Sequence, residues 1–158
     1  MLVAAGIATG VNYYNKNYNS DKNSSAQTSS SKLPSTFSSA EFTESEQQQA
    51  IQKIQVAKDN TGAQFWVGFN GKVVKILKDD LIGSRHQKFL VSPTSDITLL
   101  VAHNIDLASR VPVNKGDSIS LYGRYEWNNR GGVMHWTHHD PKGKKKGGWI
   151  KVNGKTYR

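Results

Sequence analysis

The sequence predicts a mainly β domain: a five-stranded barrel with one α-helix before it and a hairpin at its C-terminal end. Three observations carry this. The stretch FWVGFNGKVVKIL is long, rich in β-formers and interrupted by Gly68 and Gly71, as a strongly bent strand requires. SISLYGRYEW alternates, with Ile119, Leu121, Tyr125 and Trp127 on one face and Ser118, Ser120, Arg124 and Glu126 on the other. Near the C-terminus, WIKVNGKTY has a central Asn153–Gly154, a strong short-hairpin signal.

The elements follow in order. Thr43-x-x-Glu46 fits a capping box, and QQQAIQKIQVAK places Ala50, Ile51, Ile54 and Ala57 at helical spacing until Asp59–Asn60–Thr61–Gly62 stops the helix. HQKFLV and DITLLVA read as the second and third strands, separated by Ser-Pro-Thr-Ser. An irregular stretch from Asn104 to Val113 leads to Lys115–Gly116–Asp117 and the fourth strand, and VMHWTH reads as the fifth. A curved first strand and an insertion between the third and fourth resemble an oligonucleotide/oligosaccharide-binding (OB) barrel. Its binding face uses the second and third strands and two loops, here about Lys78–Arg85 and Asn128–Gly132. At least two of the four tryptophans are expected in the core.

The chain divides into residues 1–11, a signal-like apolar segment; 12–42, a Ser/Asn-rich linker; and 43–158, the helix and barrel. Leu2–Val11 has the length of a signal-peptide core. The basic segment that precedes such a core is missing, which fits a start upstream of Met1. Export to the periplasm or beyond is therefore expected, or an uncleaved N-terminal anchor. Nine serines and five asparagines fill residues 12–40, a composition too poor in apolar side chains to offset the entropy of ordering. No apolar run approaches the ~20 residues that span a bilayer. The absence of cysteine excludes disulfides, thiolate metal sites and a cysteine nucleophile. The formal charge of +9 is carried entirely by residues 61–158, which hold sixteen basic and seven acidic residues.

RHQKF (85–89), AHNIDLA (102–108), GDSISLYGRYEW (116–127) and HWTHHDPKGKKKGGWI (135–150) together resemble a family of small exported bacterial proteins catalogued only as a domain of unknown function. The resemblance covers about residues 45–158. It implies a small domain behind a signal sequence in Gram-negative bacteria and supplies no activity. It also implies that one of the positions Lys144–Lys146 is often histidine in relatives, so this chain lacks one ligand or base.

All five histidines fall between residues 86 and 139. His86, His103, His135 and His138, with Asp140, are candidate ligands for zinc or another divalent ion if strand ends bring them to one rim. A strand through VMHWTH would point His135 and His138 to opposite faces. A hydrolytic version would use His86 or His138 as general base and Arg85 for developing phosphorane charge, with a metal on Asp140, Asp106 or Glu126. Loop-tying histidines are the plainer expectation. Gly143–Gly148 lacks the Gly-Lys-Ser/Thr ending of a phosphate loop.

After Pro141 the chain holds six lysines and Arg158 and no acid, with Trp136 and Trp149 bracketing the Lys144–Lys145–Lys146 run. Lysines neutralise phosphates and aromatic rings stack bases. The leading expectation is thus a binding module for an anionic polymer, single-stranded nucleic acid first and acidic glycan next. Trp136, Trp149, Lys144, Lys145, Lys146 and Arg85 would carry it, and no cofactor is needed. Tyr122, Tyr125 and Trp127 join if they face outward. A further expectation is a structural or inhibitory partner of another envelope protein.

Overall fold

A computed structural model describes residues 40–158. The signal-like segment and nearly all of the linker fall outside the described residues. No described helix is long and apolar enough to cross a membrane. Helix α1 (Glu44–Ala57) starts at a complete capping box. The Glu46 backbone N–H donates to the Thr43 hydroxyl at 3.3 Å, and the Thr43 N–H donates to the Glu46 carboxylate at 2.8 Å. Its buried residues are Ala50, Ile54 and Ala57, the spacing expected of a single apolar stripe.

The strands are β1 (Gln64–Ile76), β2 (His86–Thr94), β3 (Ile97–Asn104), β4 (Ser118–Glu126), β5 (Val133–His135), β6 (Trp149–Val152) and β7 (Lys155–Tyr157). The order β1-β2-β3-β5-β4 closes through an antiparallel β1–β4 pairing, and β3 and β5 run parallel. This is a closed, OB-like five-stranded barrel. β1 serves two neighbours along its length, with Gln64–Lys72 on β4 and Lys72–Ile76 on β2, and a bulge at Val73/Lys75 re-aims it. β6 and β7 form the C-terminal hairpin, turned by Asn153 (φ 50°) and Gly154 (φ 76°), which matches the positive φ at both positions of a type I′ turn.

Inward residues of the barrel, among them Phe69, Phe89, Leu99, Leu121, Tyr125, Met134 and Ile150, are fully buried and form one core with Ile54 of α1. The helix crosses the barrel beside β1. At its start Gln47 exchanges hydrogen bonds with the Asn70 backbone, and beyond its end the Lys58 carbonyl accepts from the Trp127 indole at 2.8 Å. The irregular connection after β3 is anchored by a buried side chain. Gln87 donates to the Val111 carbonyl at 2.7 Å and accepts from its N–H at 2.9 Å, doing for that segment what a strand partner would do.

Two expectations are corrected. None of the four tryptophans is fully buried; Trp66, Trp127, Trp136 and Trp149 are all half-buried, and Tyr125 takes the central aromatic place in the core. The fifth strand stops at His135 instead of running through VMHWTH, because Trp136 adopts a left-handed backbone (φ 54°). Glu41 and Phe42, just before the helix cap, lie against the barrel.

Candidate nucleic-acid interface

β5 and β6 both pair with β4 on the same side: β5 with Arg124–Glu126, β6 with Ile119–Tyr122. They are two pieces of one barrel edge, separated by a loop from Trp136 to Gly148 that holds HWTHHDPKGKKKGG apart from its first residue. The neck is tight. The Gly148 N–H donates to the His138 carbonyl at 2.8 Å, and a Cβ on Gly148 would sit 2.1 Å from the Trp136 carbonyl oxygen. Only glycine permits that approach. At the tip, Asp140 accepts backbone N–H bonds from Lys142 (3.2 Å), Lys144 (2.8 Å) and Lys145 (2.7 Å). Desolvation works to raise its pKa, but these three donors outweigh it and the net shift is downward. Asp140 thus shapes the lysine run.

The lysines reach back over aromatic rings. The Lys145 ammonium lies 5.3 Å from the Trp136 ring centre and the Lys146 ammonium 4.7 Å from that of Tyr122, both cation–π distances. Tyr122 belongs to a ladder on the outer face of β1, β4 and β6. Trp66 and Tyr122 stack at 5.5 Å, Tyr122 and Trp149 at 6.4 Å, and Trp149 and Phe42 at 5.8 Å. The register explains the ladder: Tyr122 is opposite Gly68 on one side and Trp149 on the other, so outward positions of three neighbouring strands align.

This face differs from the one expected. The aromatic and cationic groups occupy β1–β4–β6 and the loop, not β2–β3. The two loops named for the OB-like face lie at opposite ends of β3. The Asn128–Gly132 loop abuts its start, where the Leu100 N–H donates to the Gly132 carbonyl at 3.1 Å. Arg85 is at the other end, paired with Asp106 at 2.6 Å through its side chain and 2.7 Å through its backbone N–H. Those bonds, the backbone one first, hold Asp106 below the usual carboxylate range. Arg85 therefore joins the loop before β2 to the loop after β3.

The histidines gather beside the loop. His86 and His135 face each other with ring centres 6.4 Å apart. His103 is fully buried. Its Nε2 meets the Ser109 carbonyl at 3.1 Å, so that nitrogen carries the proton, and its Nδ1 accepts from the Thr137 hydroxyl at 2.9 Å. Burial first, and then the neighbouring His138 and His86, lower its pKa to about 4. His138 is buried, bonds the His139 carbonyl at 2.7 Å and stacks on Trp136 at 5.5 Å. Burial also lowers the pKa of His135, against the pull of Glu126. Among the described residues no group of three or more His, Asp or Glu side chains stands where it would hold a metal ion. His103, at the end of β3, instead fastens the root of the lysine loop through Thr137, while His138 braces the loop internally against Trp136 and the His139 carbonyl.

Of the expected binding residues, the structure brings Trp136, Trp149, Lys145 and Lys146 together, puts Lys144 at the exposed tip beside them and pairs Arg85 with Asp106. Tyr125 and Trp127 are not on the face; Tyr122 is. Reasoning from the sequence missed Trp66 and Phe42. The alternation Trp66–Val67–Gly68–Phe69 carried the signal for Trp66, since Val67 and Phe69 point inward.

Over residues 33–158 the chain matches the family described as "Protein of unknown function (DUF3465)". The chain belongs to this family. The match covers the whole of the helix and barrel, including the lysine loop and its glycine neck. No curated protein and no solved structure matches the chain.

Proposed function

We propose that the domain is a non-enzymatic binding module for an anionic polymer, with single-stranded nucleic acid as its ligand. One observation carries this reading: the ladder of half-buried rings on β1, β4 and β6 lies under the exposed lysine run of the loop, with Lys146 over Tyr122 and Lys145 over the neighbouring Trp136. Flat rings on an outer face stack bases of any sequence at about 1–3 kcal/mol each, and the lysines neutralise the backbone between them. A folded core needs neither feature, because a solvent-facing Tyr or Trp ladder adds little to a barrel already filled by Phe69, Phe89 and Tyr125.

The test is titration of the protein with oligothymidylate of about 15 nucleotides across a series of salt concentrations. Affinity is expected to fall steeply with salt. The triple substitution Lys144→Ala, Lys145→Ala, Lys146→Ala should reduce the slope of log K against log salt by about 2, given roughly 0.7 per phosphate contact on a single strand. Trp149→Ala should weaken binding at every salt concentration. Binding to a sulfated glycan in preference to the oligonucleotide, or no salt dependence, overturns the choice of ligand. Shortening of the oligonucleotide that a chelator prevents overturns the non-enzymatic reading.

A further inference from the structure

The aromatic track is interrupted by the chain itself. The tip of the Phe42 ring covers Gly68 of β1, where a Cβ would come within 2.2 Å of its Cζ. Its ring is nearly parallel to Trp149, at 5° and 5.8 Å. One residue earlier, the Glu41 carboxylate pairs with Lys151 of β6. Phe42 is the residue before the helix cap. A hydrophobic residue there ordinarily packs against the fourth residue of the helix, but that residue is the polar Gln47, and Phe42 turns to the sheet instead. A flat ring on an aromatic face and an anion on a lysine, one residue apart, are the two contacts that a nucleotide makes through its base and its phosphate.

Cavities lie on both sides of this ring. On the loop side a cavity of about 260 Å³ is walled by Trp149, Lys145, His139 and Arg158, with Asp140 also lining it. On the helix side a groove of about 440 Å³ is lined by Phe42 itself together with Lys72, Lys151, Ser92 and Ser118, with Glu44 also lining it. Phe42 and Glu41 stand between them.

We propose that the slot over Gly68 is a nucleobase-stacking subsite, filled in the free protein by Phe42 with Glu41 in the place of the phosphate. An entering single strand displaces both and runs unbroken from the lysine loop to the groove beside α1. The inference rests on the binding function proposed above and adds to it a further subsite and a built-in competitor.

The experiment compares wild type, Phe42→Ala, Phe42→Trp and Glu41→Gln, with oligothymidylate as the probe and thermal melts as a check on folding. Phe42→Ala should bind at least about threefold tighter and cover one more nucleotide, since a base gains a stacking position without displacing a ring. Phe42→Trp, which refills the slot, should bind no tighter than wild type. Glu41→Gln is on the surface and cannot unfold the barrel; it should steepen the salt slope by roughly 0.7 as Lys151 becomes available to a phosphate. Wild-type binding with no gain in either Phe42→Ala or Glu41→Gln overturns the subsite and leaves the binding function standing. Absence of binding by all four proteins overturns both.

Discussion

Gly148 and Trp136 meet backbone to backbone at the root of the lysine loop: a Cβ on Gly148 would lie 2.1 Å from the Trp136 carbonyl oxygen and 2.3 Å from that of Tyr122. Both obstacles are main chain, so neither can swing aside. Gly148→Ala is expected to destabilise the domain by more than about 3 kcal/mol, in the range of severe core disruptions. Urea unfolding followed by tryptophan fluorescence reads this out. A loss below about 1 kcal/mol would mean that the neck is not closed as described.

Trp136 holds a φ of 54°, a conformation that costs a residue with a Cβ roughly 1–2 kcal/mol. Two substitutions separate this backbone cost from the indole. Trp136→Gly and Trp136→Ala both lose the ring, and the glycine variant should be the more stable by about 1 kcal/mol despite its greater freedom when unfolded. Equal stabilities would show that the left-handed turn relaxes once the ring is gone. Both variants should bind oligonucleotide less well than wild type.

Burial of His103 gives the fold a pH dependence. Its pKa is lowered from the usual 6.5 to about 4 in the folded protein. The unfolded chain therefore binds the proton more readily than the folded one between those values. The stability that His103 contributes is complete above about pH 6.5 and is lost as the pH falls toward 4, by an amount on the order of 3 kcal/mol. Denaturation midpoints measured from neutral pH downward should drop over this window, and His103→Gln should flatten the drop. An unchanged profile in the variant would assign the acid sensitivity to other groups.

Tyr125 is fully buried, and its hydroxyl has no hydrogen-bond partner among the described residues. Burial raises its pKa, which keeps the phenol neutral. Its ring stacks on Phe65 at 4.8 Å and fills the space where Gly132 has no side chain. Tyr125→Phe keeps the packing and removes an unpaired polar atom, so stability should be unchanged or rise by up to about 1 kcal/mol. A loss of more than about 1 kcal/mol would reveal a partner for the hydroxyl.

The barrel was legible because its signals are local. Alternation in β4, the β-forming run of β1, the Thr43–Glu46 capping box and the Asn153–Gly154 turn each act over a few residues and agree with the global fold, although the irregularity of β1 falls at Val73/Lys75 and not at Gly68 or Gly71. The lysine loop was legible in composition but not in position. That β5 and β6 are parts of one edge depends on both pairing with β4, a long-range fact that neither segment states alone. Trp136 misled for the same reason, since nothing in VMHWTH marks a left-handed residue until the Gly148 contact is seen. Arg85 looked available because its partner, Asp106, is twenty-one residues away. The histidines drew attention as ligands by clustering in sequence, whereas His103 and His138 spend ring nitrogens on nearby main-chain carbonyls, and His103 spends its other one on the Thr137 hydroxyl, thirty-four residues away.

The split edge separates two tasks along the chain. Barrel closure needs only Val133–His135 between β3 and β4, and the C-terminal hairpin needs only Trp149–Val152 on β4, while what hangs between them answers to a pinched doorway of glycine and carbonyl groups. Length, charge and tip sequence within that appendage are therefore free of the constraints of the hydrophobic interior. The scaffold can keep its architecture while the proposed ligand surface is respecified one insertion at a time.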